Sequence, residues 1–154
     1  MARKRLSRWP AKEVEDVKDV KDVKEVEEKT GRAGVVRTYS DLLIYKQAYR
    51  LALDVSRLTK GFPRQEQYEM GWQVRRSSRS IAANIVEGWA KRNSAAEFKL
   101  HLMIAVGECA ETKYWIELAV DEGIVEGKSV ETIRSDYSKL GFMIHNLWKE
   151  WRKF

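Results

Sequence analysis

From residue 40 onward the apolar residues recur at alternating steps of four and three, and they do so in four separate stretches. Ile44, Ala48, Leu51, Val55 and Leu58 make the first. Val74, Ser78, Ile81, Ile85 and Gly88 make the second, with small residues among them. Phe98, Leu102, Ala105, Cys109, Thr112, Ile116 and Ala119 make the third, and Ile133, Tyr137, Leu140, Ile144, Leu147 and Trp151 the fourth. Steps averaging 3.5 keep such positions on one side of an α-helix, whereas a strand would need a period of two. The punctuation agrees. Ser40 and Asp41 stand ready to cap the first helix, and Gly61 with Pro63 beyond would end it. Ser94 followed by Glu97 forms a capping box for the third, which stops near Gly123, and Ser129 starts the fourth. The expected spans are about 41–60, 65–91, 94–122 and 129–153. Short connections between long helices imply antiparallel neighbours, so the expectation is an all-α, up-and-down four-helix bundle with shallow crossing angles.

Residues 1–39 read differently. Valines at 14, 17, 20, 23 and 26 repeat every three residues, a spacing that spirals around a helix instead of striping it. This segment reads as a low-complexity, charge-rich extension, disordered or transiently helical. It holds 11 basic and 8 acidic residues, so the rest of the chain, with 18 basic and 15 acidic, is only mildly positive. No apolar run approaches the roughly 20 residues of a membrane span. One cysteine, Cys109, allows no intrachain disulfide and suits a reducing compartment. The basic start leads into charged repeats and not into an apolar signal core, which makes a cytoplasmic protein the expectation.

Catalytic constellations are missing from the sequence. A di-metal site in a helical bundle needs glutamate three residues before histidine, but Phe98 precedes His101 and Phe142 precedes His145. Ser77, Ser78 and Ser80 have no histidine within helical reach to activate them. No glycine-rich phosphate loop occurs. No enzyme, cofactor or metal is expected. Tryptophans at 72, 89, 115, 148 and 151 fit either a base-stacking platform or core and interface filling.

What stands out is residues 73–92, QVRRSSRSIAANIVEGWAKR, with five basic residues and one acid from Arg75 to Arg92. At 100° per residue the apolar seam lies on one side, and Arg76, Ser80, Asn84, Glu87 and Lys91 form a polar stripe on the other. Arg75 and Arg79 sit one turn apart on a flank. Arginine among small residues suits phosphates or interfaces better than mere solubility.

The strings D-L-x-I-Y-x-x-A-x-x-L (41–51), T-K-G-F-P (59–63), Q-V-R-R-x-x-x-S-I-x-A-N-I-x-E-G (73–88) and G-E-C-A-E-T (107–112) carry a resemblance. They look like the four-helix-bundle proteins encoded in intervening sequences of bacterial large-subunit rRNA genes, related to accessory variability proteins of diversity-generating retroelements. The resemblance implies a non-catalytic homo-oligomer, typically a pentameric ring, and in the related group a nucleic acid and a reverse transcriptase as partners. The family motif falls on Gln73, Arg75, Arg76, Ser80, Asn84, Glu87, Gly88 and Glu111. Ala82 stands where the family commonly has proline, and residues 1–39 have no counterpart. Two functions follow as expectations. In the first, Arg75, Arg76, Arg79, Lys91 and Arg92 contact RNA or DNA phosphates in a salt-dependent way. In the second, the same stripe is a subunit interface, with Arg76 paired to Glu87 or Glu111 of a neighbour.

Overall fold

A computed structural model describes residues 36–151, and the helical unit begins at Thr38. The valine repeat and the last residues of the expected fourth helix lie outside the described residues. Among those described, all regular structure is helical. After a 3-10 turn at Tyr39–Asp41 come α1 (Leu43–Lys60), the short α2 (Arg64–Tyr68), α3 (Met70–Ala90), α4 (Ala95–Asp121) and α5 (Gly127–Glu150). The four long helices pack in a closed circuit: α1 on α3, α3 on α4, α4 on α5, and α5 back on α1.

The expected stripes form the core. Ala48, Leu51, Val55, Val74, Ile81, Ile85 and every expected position of the third stripe are buried. In α5 the stripe is buried at Tyr137, Leu140 and Ile144, while Ile133, Leu147 and Trp151 are half-buried at its ends. Val130 joins it one turn earlier than expected, because α5 starts at Gly127 and not at Ser129. Phe98 lies where three elements meet, its ring 4.4 Å from that of Trp151 and 6.4 Å from that of Trp89. Both contacts are edge-on, the geometry the ring quadrupole favours.

Helix ends follow the sequence at some places and depart from it at others. Ser94 caps α4 by accepting the Glu97 N–H, as expected. Gly123 closes α4 with φ +72°, a left-handed position where glycine carries no Cβ penalty. At the start of α1 the cap moves upstream: Asp41 Oδ2 accepts the Thr38 N–H at 2.8 Å, and the 3-10 turn absorbs residues expected in the helix. The second expected helix divides at Glu69 into α2 and α3. Side chains tie that corner: Gln67 Nε2 donates to the carbonyls of Lys60 and Phe62, and the Gln67 carbonyl accepts from Arg75 at 2.6 Å. Through Ala82 the helix runs without interruption.

Cys109 faces the core between α4 and α5, and burial pushes its thiol from an ordinary 9.0 up to about 12. Burial pushes the Tyr137 hydroxyl up as well. The folded chain therefore keeps protons that the unfolded chain would release above pH 9, and stability falls as the pH climbs from about 9 toward 12. At pH 8 the thiol is protonated and enclosed. It is expected to resist an aromatic disulfide reagent until the chain opens, and to react at once in denaturant. Full labelling of the folded chain within minutes at pH 8 would contradict this burial.

Candidate functional site

Small residues on α3 decide how closely α4 approaches. Ser77 and Gly88 are buried against it, and a Cβ built on Gly88 would lie 2.8 Å from His101 Cβ. That close contact brings the polar stripe of α3 against matching groups on α4. Arg76 pairs with Glu111, which also accepts the Trp115 indole N–H at 3.1 Å. Ser80 donates to Glu108 at 2.9 Å, and Asn84 donates back to the Ser80 carbonyl at 2.9 Å. The Asn84 carbonyl oxygen lies 3.1 Å from His101 Nδ1. Lys91 Nζ lies 3.1 Å from His101 Nε2 and 2.8 Å from Glu87. One step deeper, Thr112 donates to Ser77 at 2.9 Å.

This sequence of bonds assigns the histidine tautomer. An amide oxygen can only accept, so Nδ1 carries the proton; an ammonium can only donate, so Nε2 receives it. His101 is 6% exposed and fully engaged in this network. The Lys91 partner lowers the Glu87 carboxyl below the ordinary carboxylate range, and Glu87 raises the Lys91 ammonium.

The five basic residues meet different fates. Arg75 is a structural tie: it donates to the buried Thr59 hydroxyl at 3.0 Å and to the Gln67 carbonyl, holding α3 to α1 and α2. Arg76 and Lys91 each carry a carboxylate partner within the chain, and the partner of Arg76 is its own Glu111. Arg92 lies 4.5 Å over the Trp89 ring and donates to the Trp89 carbonyl at 2.9 Å. Arg79 alone of the five is exposed without a recorded partner among the described residues. Gln73 is half-buried on the α3 surface, and its carbonyl accepts the Ser77 hydroxyl. Sequence reading missed Glu108, and it weighed His101 only as a metal ligand. Both were legible in principle, since each lies beside the apolar stripe of α4 on the side that turns out to meet Ser80 and Asn84.

A second surface was not anticipated. The side of α4 opposite its buried stripe carries Leu100, Met103, Ile104, Gly107 and Tyr114, with Leu100 55% and Tyr114 54% exposed. Alpha-helices that are apolar on both sides are normally covered on both. Among the described residues, no group of three or more His, Cys, Asp or Glu side chains is placed to hold a metal ion, and no helix is long and apolar enough to cross a membrane.

Comparison with known proteins gives a consistent picture. A family model described as 23S rRNA-intervening sequence protein matches residues 40–146. A crystal structure of a protein of unknown function from the S23 ribosomal protein family of Bacteroides thetaiotaomicron VPI-5482 is similar, with a TM-score of 0.64 and 28% sequence identity. The similarity covers 70% of this chain and 96% of that one. No curated protein compared with the chain matches it.

Proposed function

From the premise that this chain belongs to the 23S rRNA-intervening sequence protein family, we propose that it is a non-catalytic module that associates with copies of itself through the outward face of α4. The four helices run alternately up and down around the core, as their short connections require. One observation carries the reading: Leu100, Met103, Ile104 and Tyr114 lie exposed along about 20 Å of one helix face at 1.5 Å per residue. Contiguous apolar surface of this kind marks an interaction site. Glu97 stands at one edge of the face, and Glu111, paired with Arg76, lies on it between Ile104 and Tyr114. This relocates the interface expected at the arginine stripe, whose charges are already neutralised within the chain. If the contact joins different patches on the two copies, rotation closes it into a ring such as the pentamer that the resemblance implies.

The test is the mass of the full chain in solution by light scattering, alone and as the double variant Leu100→Glu/Ile104→Glu. The wild type is expected at a multiple of its 18.0 kDa chain mass. The variant is expected at chain mass with its helical circular dichroism intact. A wild type that stays at chain mass up to tens of micromolar sinks the proposal.

A second reading, contact with RNA or DNA phosphates, draws on exposed Arg79, with Arg76 also exposed on the same helix and Lys91 exposed just past its end. In an assembly each copy would add one such patch. An accessory role beside a reverse transcriptase would build on the same contact. Binding of structured RNA should then weaken steeply with salt and with Arg79→Ala at unchanged assembly mass.

A further inference from the structure

The break at Glu69 opens a cleft of about 520 Å³ between α2, the first turn of α3 and the C-terminal part of α4. Its aromatic wall is Tyr68, Trp72 and Trp115, with Tyr68 75% and Trp72 52% exposed. Three carboxylates, Glu66, Glu69 and Glu122, also line it, and among the described residues no lysine or arginine does. In a chain with net charge +6, that local balance runs against the whole.

We infer that this cleft docks an arginine-bearing segment of a partner protein. Four features agree on a cation. Exposed indole and phenol faces attract a guanidinium through their ring quadrupoles. The carboxylates supply the opposite charge and the geometry for a paired contact. The C-terminal end of α4, where Leu118 and Glu122 line the cleft, carries the negative pole of the helix dipole, and its last turn has no basic side chain to offset it. The chain already uses this chemistry: Arg92 lies over Trp89, and Arg76 lies 6.0 Å from the centre of the Trp72 ring, at the outer limit of such contact. Arg76 is otherwise engaged by Glu111, so the ring remains available to a second guanidinium. A flat fork favours arginine over lysine here, because it stacks on an aromatic face while pairing at its edge. Nucleic acid is disfavoured by the same three carboxylates. The cleft is distinct from the Leu100–Tyr114 face, so the inference does not rest on self-association.

The experiment titrates the full chain into a fluorescein-labelled peptide of alternating arginine and glycine and follows anisotropy. A second peptide replaces every arginine with citrulline, which keeps the shape and removes the charge. The arginine peptide is expected to bind and the citrulline peptide to fail. Trp72→Ala and the pair Glu66→Gln/Glu69→Gln should each weaken binding by about tenfold, the loss of one desolvated cation contact. The pair Glu117→Gln/Glu131→Gln, in the mixed-charge groove between α4 and α5, should leave it unchanged. Equal binding of both peptides, equal loss from the control pair, or no binding of the arginine peptide at millimolar protein overturns the inference. So does a Trp72→Ala variant whose assembly falls apart, because the cleft would then be a contact between copies.

Discussion

Phe98→Ala is expected to cost about 3–5 kcal/mol of folding stability, the range for truncating a fully buried phenylalanine. The ring is completely enclosed and touches both Trp89 and Trp151, so its loss leaves a cavity walled by two rigid aromatics that cannot easily collapse. Against a total of about 5–15 kcal/mol for an ordinary domain, this removes a large share of the margin. Chemical denaturation followed by circular dichroism should show the midpoint falling with an unchanged slope. Phe142→Ala supplies the comparison, because Phe142 is half-exposed on α5 and its loss should stay within about 0.5 kcal/mol. Similar costs for the two would mean that Phe98 is not the junction of α3, α4 and the end of α5.

Gly88→Ala is the second large effect, and its sign is the informative part. Helix propensity alone favours alanine over glycine in mid-helix by about 1 kcal/mol. The new methyl would lie 2.8 Å from His101 Cβ and 3.1 Å from Phe98 Cδ2. Neither neighbour is the free end of a flexible side chain: His101 Cβ moves only with the α4 backbone, and the Phe98 ring is locked in the core. Overpacking of this kind costs about 1–3 kcal/mol and should outweigh the propensity gain. Pushing α4 outward would also lengthen the contacts of His101 with Asn84 and Lys91, so nitrogen-detected NMR of the His101 ring should report the change. Gly107→Ala on α4 is the control, since nothing lies within 4 Å of its added methyl. It should stabilise the chain by up to about 1 kcal/mol. Both are best measured in the Leu100→Glu/Ile104→Glu background, so that contacts between copies at Gly107 do not enter. A stabilising Gly88→Ala would show that α3 and α4 are not in close contact there.

His101 marks the reach of local pattern. On its own helix the residue has no glutamate at metal-ligand spacing. It is buried, with both nitrogens engaged. Its partners, however, are Asn84 on α3 and Lys91 just past its end, seventeen and ten residues earlier, and no local spacing encodes them. Arg75 is the opposite case. The wheel placed it beside Arg79 as one basic flank, yet one is consumed in joining α1, α2 and α3 and the other faces solvent.

The four long helices, their apolar stripes, the Ser94 cap and the stop at Gly123 were determined by the sequence itself, because period, capping and left-handed backbone preference act over a few residues. Packing alone decided what lies opposite each polar face. A helical wheel places residues on a side, but the close approach at Gly88 brings Glu108 and Glu111 onto the polar stripe and neutralises Arg76 inside the chain. Among the described residues the same packing leaves the far side of α4 apolar and exposed, and the break at Glu69 opens the acidic, aromatic cleft. Charge and hydrophobicity were legible residue by residue. Their availability to a partner depends on distances between helices, and those exist only in the folded chain.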